Sequence, residues 1–140
     1  MEKFTLDDAH MVGDDLLDSQ HKVILSYMAK LYKYLLAGEK EKDLFRLVEN
    51  LDMYCRMHFL DEEELLEEIG FPETAAHKAQ HALFVTHLEN FTGRYEEQNI
   101  TKNIDDLVFL KGWFLEHIKE LDKKYADFKK HLDKLAGKSG

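Results

Sequence analysis

Four stretches of the sequence repeat apolar residues at alternating steps of three and four, the spacing of one buried helix face. These stripes cover residues 21–35, 44–69, 72–95 and 107–128, and Gly38 and Gly70 follow the first two as plausible helix ends. Short links between long helices make consecutive helices antiparallel. The sequence therefore predicts an all-α protein, an antiparallel up-down-up-down four-helix bundle.

Composition and charge exclude several classes of protein. Cys55 is the only cysteine, which rules out an intrachain disulfide framework. The net charge of −9 disfavours binding to nucleic acid, because phosphate backbones attract basic surfaces. No apolar run approaches the length that spans a bilayer, and the acidic N-terminus does not resemble a signal peptide. We expect a cytoplasmic protein that associates with neither membrane nor nucleic acid.

The two ends of the chain lack the helical pattern. The segment before about residue 18 has no clear period, and we expect it to cross the bundle as an irregular N-terminal arm that carries Phe4. Residues 137–140 predict a flexible tail, so the domain covers residues 1–136.

Five of the eight histidines and one glutamate fall on the stripes that should face the core. They are His21, His58, Glu62, His77, His81 and His117. One core histidine is usually just hydrogen-bonded, but burying six such groups is costly unless they are paired or bind a metal. A metal site inside the bundle explains all six positions.

Spacing and depth support a single site. His77 and His81 are four residues apart and project from one helix face, and His58 and Glu62 repeat this arrangement on the second helix. In an antiparallel bundle, positions early in helices one and three and late in helices two and four meet at the same end. All six residues approach that end.

Histidine nitrogens with a carboxylate suit iron, zinc, manganese, nickel or copper. The absence of nearby cysteines argues against a structural zinc site or an iron–sulfur cluster. Five histidines exceed the needs of one zinc and suit a pair of metals bridged by carboxylates. No Glu-x-x-His motif stands among these residues, which argues against the ferritin-like di-iron class.

At these residues the chain resembles the hemerythrins, in particular the bacterial single-domain kind. The matching segments are residues 18–22, 58–63, 77–81 and 113–118, followed by Asp122. The resemblance extends from roughly residue 10 to residue 130. One departure is Phe4, which stands where the family commonly has a tryptophan in its N-terminal arm.

The resemblance implies a non-haem di-iron centre with a bridging oxo or hydroxo group, which binds O2 reversibly. It also implies seven ligands: three histidines on one iron, two on the other and two bridging carboxylates. In that order they are His77, His81 and His117; His21 and His58; and Glu62 and Asp122. Two octahedral irons offer twelve positions, and this set with the bridging oxygen leaves one open, on the two-histidine iron. The ligands expected at this open position are O2 and, as an alternative, small anions.

Helical spacing alone disagrees with the resemblance at one ligand. Asp122 follows His117 by five residues, about 140° around an ideal helix, whereas Glu120 follows it by three. A local π-bulge adds one residue to a turn and would bring Asp122 toward the site. We therefore choose Asp122.

Four apolar residues adjoin the ligand positions and match the dry O2 pocket of the family, although plain core packing would explain them equally well. They are Ile24, Phe59, Trp113 and Phe114. Glu63 is expected to be a solvated neighbour or a partner of a ligand. Three histidines lie off the stripes and are expected to be surface or structural groups: His10, His87 and His131.

The resulting hypothesis is an oxygen-binding protein, not an enzyme, that serves oxygen carriage, storage or delivery. The first alternative is an O2 or redox sensor that acts through a partner protein, which the sequence does not name. The second is a di-iron oxidase or peroxidase. It ranks last because a histidine-rich site with two carboxylates stabilises highly oxidised iron less.

Overall fold

Helices make up nearly all of the computed structural model, which describes residues 3–38, 41–94 and 100–139. The first three are α1 (Asp15–Ala37), α2 (Glu41–Ile69) and α3 (Thr74–Arg94). The fourth rod is continuous and comprises α4 (Ile100–His117), a π-helical segment (Ile118–Asp122) and α5 (Lys123–Ser139). The described residues form no strand. The predicted four-helix bundle is confirmed.

The core lies along the axis of the bundle. Helices α1 and α3 each pack against both α2 and α4. One fully buried leucine from each helix illustrates the packing: Leu31, Leu51, Leu88 and Leu107. Removing such a side chain from water stabilises the fold by about 1.5–3 kcal/mol. Within the described residues, no helix is both long and apolar enough to cross a membrane.

Local capping explains where the helices begin and end. The Asp14 carboxylate accepts a hydrogen bond from the Leu17 amide and caps α1. Gly70, with φ of +67°, ends α2 in the left-handed conformation that glycine adopts without strain. The Phe71 amide then bonds back to the Leu66 carbonyl and completes a Schellman motif.

The arm before α1 is irregular, as predicted, apart from a 3-10 turn at Asp8–His10. Phe4 packs against Tyr32 of α1, with ring centroids 5.3 Å apart, and Lys111 of α4 lies 5.0 Å from the centroid of the Phe4 ring. The Asp18 carboxylate accepts hydrogen bonds from the amides of Val12 and Gly13. The arm therefore crosses from α1 to α4.

Three helical details differ from the sequence predictions. The third helix begins at Thr74 rather than Pro72, because the Thr74 hydroxyl and amide both bond to the Phe71 carbonyl and close a turn first. On α2, Leu66 is fully buried while Leu65 is half-buried. Residues 137–139 are helical, so the expected loose segment continues α5. Residue 140 and Tyr95, at the end of the third stripe, lie outside the described residues.

The stripe on the fourth rod shifts by one residue after His117. Leu121, predicted to face the core, is half-buried, and Asp122 is 1% exposed. The π-helical segment causes the shift, because it adds one residue to the turn that precedes Asp122.

Candidate metal centre

Seven polar side chains meet in the interior at one end of the bundle, and each is at most 4% exposed. They form two groups in which the potential ligand atoms lie within 4.8 Å of one another. The larger group, called here the three-histidine group, contains His77, His81 and His117 with Glu62 and Asp122. The smaller, the two-histidine group, contains His21 and His58 with Glu62. The structure thus brings together all seven residues named from the sequence.

Glu62 lies between the two groups and turns one carboxylate oxygen toward each. Its Oε1 lies 2.9 Å from Nε2 of both His77 and His81. Its Oε2 lies 3.4 Å from Nε2 of His58 and 3.7 Å from Nε2 of His21. This orientation suits a carboxylate that bridges two ions.

Asp122 also directs one carboxylate oxygen toward each of the two groups. Its Oδ1 lies 2.9 Å from Nε2 of His77 and 3.1 Å from Nε2 of His117, and its Oδ2 lies 3.4 Å from Nε2 of His21. Glu120, which simple helical spacing favours, is exposed. The π-helical segment supplies the rotation that the sequence argument required.

Electrostatics in this interior depend on the imidazoles around the carboxylates. Burial raises the pKa of Glu62, but the four imidazoles that face its carboxylate outweigh burial and hold that pKa well below its usual range. Burial and the charge of Glu62 raise the pKa of Asp122, but the nearby imidazoles of His117 and His77 prevail and lower it. Burial lowers the pKa of His77, yet the nearby carboxylates of Asp122 and Glu62 prevail and raise it to about 9. Both carboxylates are therefore ionised.

A surrounding set of polar partners orients the candidate ligands. Gln20 Oε1 lies 2.8 Å from Nδ1 of His58, and Gln20 Nε2 donates to Asp61 at 2.8 Å. The Tyr125 hydroxyl donates to Glu62 Oε2 at 3.1 Å. Burial and the charges of Glu62 and Asp122 raise the pKa of Tyr125 well above its ordinary value, so this hydroxyl stays protonated.

Sequence reasoning did not identify Gln20, Asp61 or Tyr125 as site residues. Two features of the sequence could have indicated such residues: Gln20 directly precedes His21, and Tyr125 lies on the fourth stripe. Glu63, for which two roles were open, contacts a candidate ligand: its Oε2 lies 2.8 Å from Nδ1 of His81.

Several buried atoms of the site have no hydrogen-bond partner among the described residues. They are both ring nitrogens of His21 and of His117, Nε2 of His81 and both carboxylate oxygens of Asp122. Buried polar atoms are nearly always hydrogen-bonded, so each exception requires an explanation. A bound metal ion would satisfy the atoms that face the centre, namely the Nε2 atoms and the oxygens. The residues present therefore fit a metal pair.

Aromatic rings enclose both groups. Phe114 makes edge contacts with His21 and His58, with centroids 5.6 and 6.4 Å apart. Phe59 stacks on His81 at 4.1 Å. The predicted pocket residue Trp113 stacks on His117 at 5.0 Å, beside the three-histidine group and half-buried.

The fourth predicted pocket residue, Ile24, is fully buried one turn after His21.

The three histidines predicted to lie outside the site belong to neither group. His10 sits in the N-terminal arm, where its Nδ1 accepts a hydrogen bond from the Asp7 amide. His87 packs edge-on against Phe109, with ring centroids 5.0 Å apart, and His131 is exposed. Cys55 is buried, and burial raises the pKa of its thiol, which is consistent with a small core residue.

Comparison with known proteins places residues 12–128 in the hemerythrin HHE cation binding domain family. A bacteriohemerythrin of Stenotrophomonas maltophilia is 30% identical over 127 residues, which cover 89% of this chain and 81% of the relative. One from Clostridium acetobutylicum is 28% identical over 128 residues, which cover 89% and 99%. The crystal structure of a wild-type hemerythrin superimposes with a TM-score of 0.78 at 28% identity and covers 88% of this chain and 95% of its own.

Proposed function

The chain belongs to the hemerythrin family, and on that premise we propose that it binds O2 reversibly at a non-haem di-iron centre, for oxygen carriage, storage or delivery. One observation carries the proposal. Glu62 and Asp122 each direct one oxygen to the three-histidine group and the other to the two-histidine group. Two carboxylates that face both groups in this way are suited to bridging a pair of ions.

The donor set supports iron in particular. Imidazole and carboxylate donors suit iron, and the described residues place no cysteine in either group. In the proposed arrangement one ion is held by the three-histidine group and the other by the two-histidine group, and Glu62 and Asp122 serve both. Two bound irons would supply an open coordination position and the electrons that reversible O2 binding requires.

The protein's own part is to hold the ligands still and to keep water out. Tyr125 donates to Glu62 Oε2 and restrains that carboxylate. Phe114 and Phe59 cover the imidazoles of the two-histidine group. A dry shell of this kind limits the access of water and small anions to a metal site. It would favour release of O2 unchanged over oxidation of the metal.

We propose binding rather than catalysis. Five imidazoles, which are neutral when they bind a metal, and two carboxylates would offer little negative charge to stabilise the highly oxidised iron that oxidases require.

An air titration tests the proposal. Protein loaded with Fe²⁺ under argon is titrated with air-saturated buffer while its visible spectrum is recorded, and is then returned to argon. We expect about two iron atoms per chain and an absorption band that appears with O2 and disappears without it. One zinc per chain with no visible absorption would overturn the di-iron assignment. Rapid turnover of added hydrogen peroxide would instead support an enzyme.

A further inference from the structure

His58 begins a chain of hydrogen bonds that leads out of the centre. Its Nδ1 lies 2.8 Å from Gln20 Oε1, and Gln20 Nε2 lies 2.8 Å from Asp61 Oδ2. Gln20 is 4% exposed, and Asp61 is half-buried. The Asp61 carboxylate only accepts hydrogen bonds, so the amide must turn its NH2 to Asp61 and its carbonyl to His58. Nδ1 of His58 is then the donor, and its Nε2 presents a lone pair to the centre.

His81 is oriented by a different chemical group. Its Nδ1 lies 2.8 Å from Glu63 Oε2, so a carboxylate contacts this imidazole directly. A carboxylate partner makes a metal-bound histidine a stronger electron donor, and a charged acceptor forms the stronger hydrogen bond. One histidine of each group therefore has a different partner at Nδ1. In the three-histidine group the partner of His81 is a carboxylate, and in the two-histidine group the partner of His58 is a neutral amide.

We propose that Gln20 is a positioning residue that fixes the tautomer of His58. Because its amide is neutral, it also keeps the two-histidine group a weaker electron donor than the three-histidine group. The inference rests on the proposed function insofar as it concerns iron. Its consequence is that Gln20 and Glu63 adjust the reduction potential of the metal pair in opposite senses without touching a metal. Ferrous iron, the state that takes up O2, is favoured by the amide and disfavoured by the carboxylate.

The tautomer is tested without iron or O2. ¹⁵N NMR of histidine-labelled protein, metal-free and with diamagnetic Zn²⁺, is expected to show His58 protonated at Nδ1. Gln20→Leu removes the acceptor at similar volume, and we expect it to lose the single tautomer and to bind Zn²⁺ about 10–100-fold more weakly in chelator competition. An unchanged His58 spectrum and unchanged Zn²⁺ affinity in Gln20→Leu would overturn the positioning role.

A pair of exchanges tests the unequal electron donation. The double variant Gln20→Glu/Asp61→Asn moves the carboxylate one step closer to His58, keeps every hydrogen bond of the chain and leaves the net charge unchanged. Glu63→Gln replaces the carboxylate on His81 by an amide, and the exposed neighbour Glu64→Gln is its charge-matched control. We expect the reduction potential of the iron-loaded protein to fall in the double variant and to rise in Glu63→Gln by more than in the control.

Shifts in the same direction, or shifts no larger than that of Glu64→Gln, would overturn the unequal donation. General structural damage does not produce opposite signs in the two variants. Failure of the parent protein to load iron would refute the proposed function instead, and the Zn²⁺ and NMR results for Gln20 would still decide the positioning role.

Discussion

The two ends of the bundle use the same inward helix faces for opposite chemistry. At one end each helix contributes a fully buried leucine, namely Leu31, Leu51, Leu88 and Leu107. At the other end the same faces carry histidine, glutamate and aspartate, equally buried. Apolar burial stabilises the fold wherever it occurs, whereas a buried imidazole or carboxylate is stable only beside a complementary partner. The difference predicts that mutations at one end change stability and at the other change metal content.

The largest effect is expected from a histidine at the polar end. His58→Ala leaves His21 as the remaining histidine of its group, so we expect loss of the metal pair and of the response to air. His87→Ala is the control, since His87 lies on α3 and belongs to neither group. Iron analysis and the air titration measure both variants. Equal metal loss in the two variants would contradict the assignment of the site to the polar end.

The second prediction concerns the π-helical segment. We expect Asp122→Ala to release iron and disrupt the pair, because both oxygens of Asp122 face buried imidazoles. Glu120→Ala is expected to retain the iron, since Glu120 is exposed. Iron content and the visible spectrum distinguish the two. The reverse result would show that plain three-residue spacing identifies the ligand.

Asp122 also marks a limit of sequence reasoning. The five histidines and Glu62 could be predicted because they lie on regular stripes, but residues 118–122 contain neither proline nor glycine to signal an irregular turn. The π-helical segment places Asp122 against the imidazoles of His21 and His77 on two other helices, and spacing within one helix cannot predict such contacts. The resemblance to a family, rather than periodicity, selected this residue.

Two further differences have equally physical causes. A stripe built from steps of three and four drifts around a helix over many turns, so near the end of α2 the buried position passes from Leu65 to Leu66. Gln20 lies beside a stripe residue rather than on the stripe, and its importance depends on a contact with His58 across two helices. Such contacts depend on how one helix is rotated relative to the other, and this rotation cannot be predicted from a single sequence.

The third prediction tests the apolar end. Leu51→Ala is expected to lower the free energy of unfolding by about 2–5 kcal/mol, because the residue is fully buried and truncation leaves a cavity. Iron per folded chain is expected to stay unchanged. Denaturant unfolding and metal analysis on the same sample provide the two values. Loss of iron in proportion to stability would mean that the two ends are not independent.

The prediction with the smallest expected effect tests whether Phe114 protects the metal site or is ordinary core packing. Phe114→Leu and Phe91→Leu make the same truncation at buried positions, the first against the rings of His21 and His58, the second in the core at the other end. Each is expected to cost about 0.5–3 kcal/mol of stability. Only Phe114→Leu opens a path for water and small anions to the two-histidine group, so it alone should hasten decay of the spectrum that appears in air. The measurement is that decay rate beside the thermal midpoint. If both variants lose stability and decay at the parent rate, Phe114 is core packing and has no part in protecting bound O2.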